Sequence, residues 1–150
     1  MKSFLRFHSR ASSRGQSVVE LALTSPFLLV LALVASDACR VYFTSIAVNN
    51  AAKAGAQYGA RSLANSGDLS GMQNAALADA PQLYGISANA SVYCECPGVP
   101  GSFACSTPTT CSDKRAYVEV DTTTIFHTLI SYPLIPDTVP ISGQAIMRVE

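Results

Sequence analysis

Hydrophobic and polar positions divide the chain into three regimes. From Val18 to Ser36, 19 residues are interrupted by a single charge, Glu20. At 1.5 Å rise per residue such a run forms a helix of roughly 28 Å, about the thickness of a hydrocarbon core. From Asp37 to Ala64 the chain is Ala-rich and free of proline, with small residues Ala47, Ala51, Gly55 and Gly59 at a spacing of four. We therefore expect one long helix from about Ser17 to about Ala64, interrupted in hydrogen bonding only at Pro26. A membrane helix tolerates such a proline, and Ser25 or Thr24 is placed to satisfy the carbonyl it frees. A second short helix is expected over 68–80, capped by Asp68 or Ser70 and stopped by Pro81.

Past Gly85 the period changes to two. Ala88, Ala90 and Val92 alternate with Asn89 and Ser91, and Val118 and Val120 with Glu119 and Asp121. Strands are expected over Ile86–Cys94, Ala116–Phe126 and Ile141–Val149. The fold class is α+β: a long N-terminal helix packed on a small antiparallel sheet. The stripe Ala47, Ala51, Gly55, Gly59 lets another backbone approach closely. Its expected partner is the chain's own sheet, and a neighbouring subunit's helix is the sharper alternative. Residues 129–140 carry three prolines and many apolar side chains, so a regular central strand is excluded there. That loop either covers one end of the sheet or docks on a partner or a membrane leaflet.

Charge adds orientation. Ten basic residues balance ten acidic ones, but Lys2, Arg6, Arg10 and Arg14 all precede the first acid, Glu20. Residues 1–15 thus read as a basic leader, 16–36 as a transmembrane helix and 37–150 as an exported domain. The positive-inside bias puts the N-terminus in the cytoplasm and the C-terminal domain on the exported side of the membrane. Basic residues neither cluster nor interleave with aromatics, which excludes a nucleic-acid footprint.

Four of the five cysteines, Cys94, Cys96, Cys105 and Cys111, fall in one window of the exported part. An oxidising compartment favours two disulfides over a zinc site, and Cys-x-Cys is not the usual zinc knuckle. Three pairings are open. The nested one, Cys94–Cys111 with Cys96–Cys105, extends the loop as a hairpin and is the expectation. Cys39 is expected to be a lone buried thiol. No phosphate-binding, nucleophile-elbow, metallopeptidase or dinucleotide motif occurs, and His127 stands without catalytic company. We expect no enzyme, no cofactor, no metal and no small-molecule substrate.

The N-terminal pattern, a basic leader followed by RG, QSVVE, an apolar stretch with an early proline and DACRVYF, resembles the TadE/TadF-type pseudopilins of the tight-adherence (Flp) pilus system. The matching stretch covers about residues 14–60, and VPISGQAIMRVE resembles the last strand of TadE-like domains. The resemblance implies a membrane-anchored structural protein acting in pilus assembly. It implies cleavage by a prepilin peptidase after Gly15, with Gln16 as the new N-terminus and Glu20 as the fifth mature residue. Leu21 stands where an aromatic is common, whereas Pro26 matches. Implied partners are other pilin or pseudopilin subunits, pilus assembly membrane proteins and the peptidase. The physical logic of Glu20 is independent of the family. A carboxylate at a membrane-helix centre costs roughly 2.5–3.5 kcal/mol, and a newly freed α-amine at Gln16 would offset it, within the chain or between subunits. The competing reading makes residues 1–36 an ordinary signal peptide cut after Val34-Ala35-Ser36, leaving a secreted binding protein, or a lipid-anchored one at Cys39.

Overall fold

The computed structural model describes residues 13–107, 111, 113–131 and 136–150. Most of the basic leader and part of the proline-rich loop, residues 132–135, lie outside the described residues. The chain divides into two compact units, Met1–Asp37 and Ala38–Glu150.

In secondary structure the first element is one α-helix, α1 (Ser13–Ala60), with Pro26 inside it. It stops four residues before the expected end because Ser62 caps a separate turn, α2 (Leu63–Ser66), accepting from the Asn65 amide. The orphan carbonyls at the end of α1 find other donors: Asn65 Nδ2 reaches Tyr58 O at 3.1 Å and the Glu150 amide reaches Ala60 O at 3.1 Å. Helix α3 (Leu69–Asp79) follows, with Asp68 as its N-cap, and ends two residues before Pro81.

Three strands follow, β1 (Ser87–Glu95), β2 (Arg115–His127) and β3 (Thr138–Arg148), paired antiparallel in the order β1-β2-β3. The third starts three residues earlier than expected and takes in Pro140, opposite Ile125. As the outer strand of three, β3 has the one position type in a sheet that accepts proline.

The core of the second unit lies between one face of this sheet and the helices. Val118, Val120, Thr122, Thr124 and Phe126 alternate inward along β2, and the outward residues Glu119, Asp121 and Thr123 face solvent in part. The small residues explain how close the layers come. Ala47, Ala51, Gly55 and Gly59 are all buried, against α3 and this sheet. A Cβ on Gly55 would lie 2.8 Å from Met72 O and 3.1 Å from Val120 Cγ1. On the sheet side, Gly143 of β3 approaches α1 so closely that a Cβ there would sit 2.9 Å from both Cα and N of Asn49. The buried Thr122 hydroxyl donates to Val48 O at 2.8 Å, tying β2 to the same turn of α1. Two clusters result. One centres on Ala52, Ala56, Met72, Val118 and Val120; the other on Val48, Phe126 and Ile141, flanked by Val41 and Leu83.

Two disulfides reinforce this small core, but the pairing is crossed rather than nested: Cys94–Cys105 and Cys96–Cys111. The reason is local. Phe103 pairs with Cys94 through two backbone hydrogen bonds of 2.8 and 2.9 Å, so the loop folds back early. That brings Cys105 within 5.0 Å of Cys94, Cα to Cα, and leaves Cys111 for Cys96. Cys39 is free and exposed in the chain, not buried.

The α3 cap is electrostatically tuned. Asp68 accepts from the Gly71 amide at 2.9 Å, from the Ser70 hydroxyl at 2.8 Å and from the Tyr58 hydroxyl at 2.9 Å. These donors hold its carboxyl below the ordinary aspartate range, and the same bond raises the Tyr58 phenol. A depressed folded-state pKa stabilises above the unfolded value, near 3.9, and that contribution is lost as pH falls through the folded value. Asp68→Asn should therefore lower the melting temperature at neutral pH and shrink the difference from wild type below pH 4. Melts followed by circular dichroism across pH 3–7 check this; an Asp68→Asn deficit that persists unchanged at pH 3 would contradict it.

Candidate functional site

Helix α1 is long and apolar enough to cross a membrane, and none of its most apolar window is buried by protein. Val18, Leu21, Leu23, Phe27, Leu29 and Val30 are each more than half exposed, as side chains meant for lipid would be. Within this apolar surface the polar groups are not scattered. Gln16, Glu20 and Thr24 follow one another at a spacing of four, which on a helix places them on one face. Gln16 Nε2 donates to Glu20 Oε1 at 3.3 Å, and the Thr24 hydroxyl donates to Glu20 O at 2.9 Å and to Leu21 O at 3.3 Å.

One turn on, Pro26 removes the N–H that would have bonded Ala22 O. The Ser25 hydroxyl reaches that same carbonyl at 3.4 Å. Of the two residues expected to supply the missing donor, Ser25 does, while Thr24 serves the turn before it. The proline is thus accommodated inside an uninterrupted helix.

The structure brings Gln16 and Glu20 together and puts Gly15 one residue before them, where an added Cβ would meet open space. The small-residue stripe belongs elsewhere: Ala47, Ala51, Gly55 and Gly59 are consumed by packing within the second unit. From sequence, Glu20 is paired with the backbone amine of a cleaved Gln16 and not with the Gln16 side chain. Its role as a hydrogen-bond partner of Glu20 was signalled by the four-residue spacing. An i,i+4 pair of this kind brings donor and acceptor together but leaves one carboxylate oxygen for a further cation.

In the second unit, Cys94, Cys96, Cys105 and Cys111 are taken up in disulfides, and no group of three or more metal-binding side chains occurs among the described residues. A cavity of ≈ 570 Å³ lies beside the Cys94–Cys105 bridge, walled by Leu63, Val92, Ala116 and Val149 with Lys114 at its side.

Residues 15–57 match the family model of TadE-like proteins, a stretch that begins at Gly15, takes in the Gln16–Glu20–Thr24 ridge and runs well into the second unit. No curated protein and no solved structure matches the chain.

Proposed function

From the TadE-like segment at residues 15–57, we propose that this chain is a membrane-anchored, pseudopilin-like structural protein that acts in assembling a Tad-type pilus. Its association with a Tad pilus and with a membrane rests on the family match and on the most apolar window of α1, which no protein covers. The observation that carries the finer reading is the position of Glu20, five residues past Gly15 and paired to Gln16 on an otherwise lipid-compatible helix.

In this reading the chain works by association and catalyses nothing. A prepilin peptidase cuts after Gly15 and converts the Gln16 nitrogen from an amide into an ammonium group, positive below a pKa near 8. The Glu20 carboxylate then has a cation at the same depth, from its own chain or from a neighbouring pilin subunit. Each charge offsets part of the other's desolvation cost, most strongly where lipid excludes water. When the amine belongs to a neighbour, the pair also sets the axial register of the two helices. The Gln16 side chain holds the carboxylate toward the helix N-terminus while it waits for that partner. The domain after residue 36 lies in the periplasm, where its two disulfides form, and the anchor sits in the inner membrane.

Glu20→Ala should leave the protein in the membrane fraction at its normal level and reduce surface pili severely in a strain with an active Tad system. Glu20→Gln should be nearly as defective, since it keeps the size and loses the charge. Pilus counts by electron microscopy, with immunoblots of washed membranes, read the result. Full piliation by either variant would defeat the proposal.

A further inference from the structure

The two ends of the second unit differ in chemistry. At the end where α1 enters, from residue 38, the exposed apolar side chains are Tyr42 (70%) and Phe43 on the helix, Tyr84 (100%) on the turn before β1, and Leu129 (55%) and Ile130 after β2. They share one end because of specific contacts. The Arg40 guanidinium lies over the Phe126 ring at 5.0 Å, Leu83 and Val41 flank the Val48–Phe126–Ile141 cluster, and Thr124 Oγ1 bonds Tyr84 O at 3.4 Å. The Thr128 amide bonds Asp137 O at 3.1 Å, which closes the β2–β3 connection at this same end. At the opposite end, around the disulfides, charge gathers instead: Arg61, Asp113, Lys114, Arg115, Arg148 and Glu150. Leu63 and Val99 stand there as separate exposed residues of the ordinary kind.

We infer that the apolar end is a lipid-docking surface: the second unit seats Tyr84, Leu129 and Ile130, together with Tyr42 and Phe43, in the headgroup layer of the membrane that α1 crosses. The inference rests on the reading of residues 17–36 as the membrane span. The occupant follows from continuity. Tyr42 and Phe43 come within seven residues of Ser36, so they cannot leave the interfacial zone by much, and tyrosine with its apolar ring and polar tip is suited to it. Of the three side chains from the sheet end, Tyr84 is tied to Thr124, and Leu129 and Ile130 follow Phe126, whose ring meets Arg40 of that same stretch of helix. The titratable groups at this end, among the described residues, include Asp37, Arg40, Asp79, His127 and Asp137, in which acids outnumber Arg40, so attraction to anionic lipid supplies little and apolar insertion supplies the contact. A domain seated in this way is held close to the bilayer, with its charged, disulfide-bonded end turned to the aqueous side and free for other proteins.

The chain contains no tryptophan, so a single introduced one is a unique probe. The full chain is reconstituted in phosphatidylcholine vesicles whose acyl chains are brominated near the headgroup and, in a parallel preparation that reports on Leu28→Trp, near the middle of the bilayer. Four variants are compared: Tyr84→Trp and Leu129→Trp at the docking end, Val99→Trp at the far end and Leu28→Trp in the span. Quenching of Leu28→Trp, Tyr84→Trp and Leu129→Trp, persisting in high salt, with Val99→Trp unquenched, is the expected result. If Leu28→Trp is quenched and both Tyr84→Trp and Leu129→Trp behave like Val99→Trp, the span stands and the docking surface is refuted. A blue-shifted but unquenched Tyr84→Trp or Leu129→Trp means that protein, such as a second copy, covers the site, which also refutes it. An unquenched Leu28→Trp removes the membrane reading itself and the inference with it.

Discussion

Gly143→Ala is expected to be among the most damaging single methyl additions available in this fold. The glycine does not occupy a left-handed conformation, so backbone freedom is not the issue. The added Cβ would lie 2.9 Å from Cα and N of Asn49 and 3.0 Å from the Val48 carbonyl carbon. All three are backbone atoms of α1, and none can swing aside. Relief requires β3 and the helix to separate, which would also lengthen the Thr122–Val48 hydrogen bond. Over-packing of this kind costs about 1–3 kcal/mol and sometimes more. In a unit of this size each kcal/mol lowers the melting temperature by roughly 4–8 °C. Gly59→Ala should be milder, because its nearest contact is the flexible end of the Met72 side chain. Ser142→Ala, an exposed neighbour on the same strand, should leave the melt unchanged. Thermal unfolding of the full chain in detergent, followed by circular dichroism, compares the three. Equal melts for Gly143→Ala and Ser142→Ala would mean that helix and sheet are not packed as described.

The second large effect concerns the disulfides. The largest fully buried side chains are only Met72, Val48, Val118, Val120, Thr122 and Cys94, so apolar burial is limited and cross-links matter more. Loops of this length closed by a disulfide contribute about 2–4 kcal/mol each. Chain entropy alone would rank Cys96–Cys111, with a separation of 15, slightly above Cys94–Cys105, with 11. Burial reverses that order, since Cys94 is closed off from solvent at the edge of the core while Cys111 is half-buried. We expect Cys94→Ala with Cys105→Ala to cost more than Cys96→Ala with Cys111→Ala, and reduction to cost more than either. Non-reducing peptide mapping by mass spectrometry checks the connectivity. Peptides joined Cys94 to Cys105 and Cys96 to Cys111, with one thiol titrating at Cys39, are the expected set; nested links would overturn the crossed arrangement.

Much of this was legible before any coordinates. The apolar run and the Ala-rich, proline-free stretch after it carried α1, and alternation along 116–126 carried the central strand with its inward valines. The stripe at Ala47, Ala51, Gly55 and Gly59 signalled close approach, and the sheet and α3 turned out to be what approaches. Other features had no one-dimensional trace. Gly143 sits in an ordinary strand conformation, and its importance comes wholly from where Asn49 lies. The disulfide pairing depended on Phe103 bonding back to Cys94, a contact within a loop whose composition only indicated turns. Strand β3 swallowed Pro140 because it is an edge strand, and edge position is a property of sheet order. At the N-terminal site, Glu20 and Pro26 were conspicuous as exceptions in an apolar run. The Gln16 partner was quieter, since glutamine at a helix start is unremarkable until the carboxylate four residues on is considered.

Pairing between helices through Glu20 requires that Gln16 become a free amine beside it. Intact-mass and N-terminal sequencing of the protein isolated from membranes of a cell with an active prepilin peptidase decides that most directly. We predict a chain that begins at Gln16, converted back to the full-length mass when Gly15 is replaced by a larger residue. A chain that still begins at Met1, or one that begins at Asp37 after removal of an ordinary signal peptide, would contradict it.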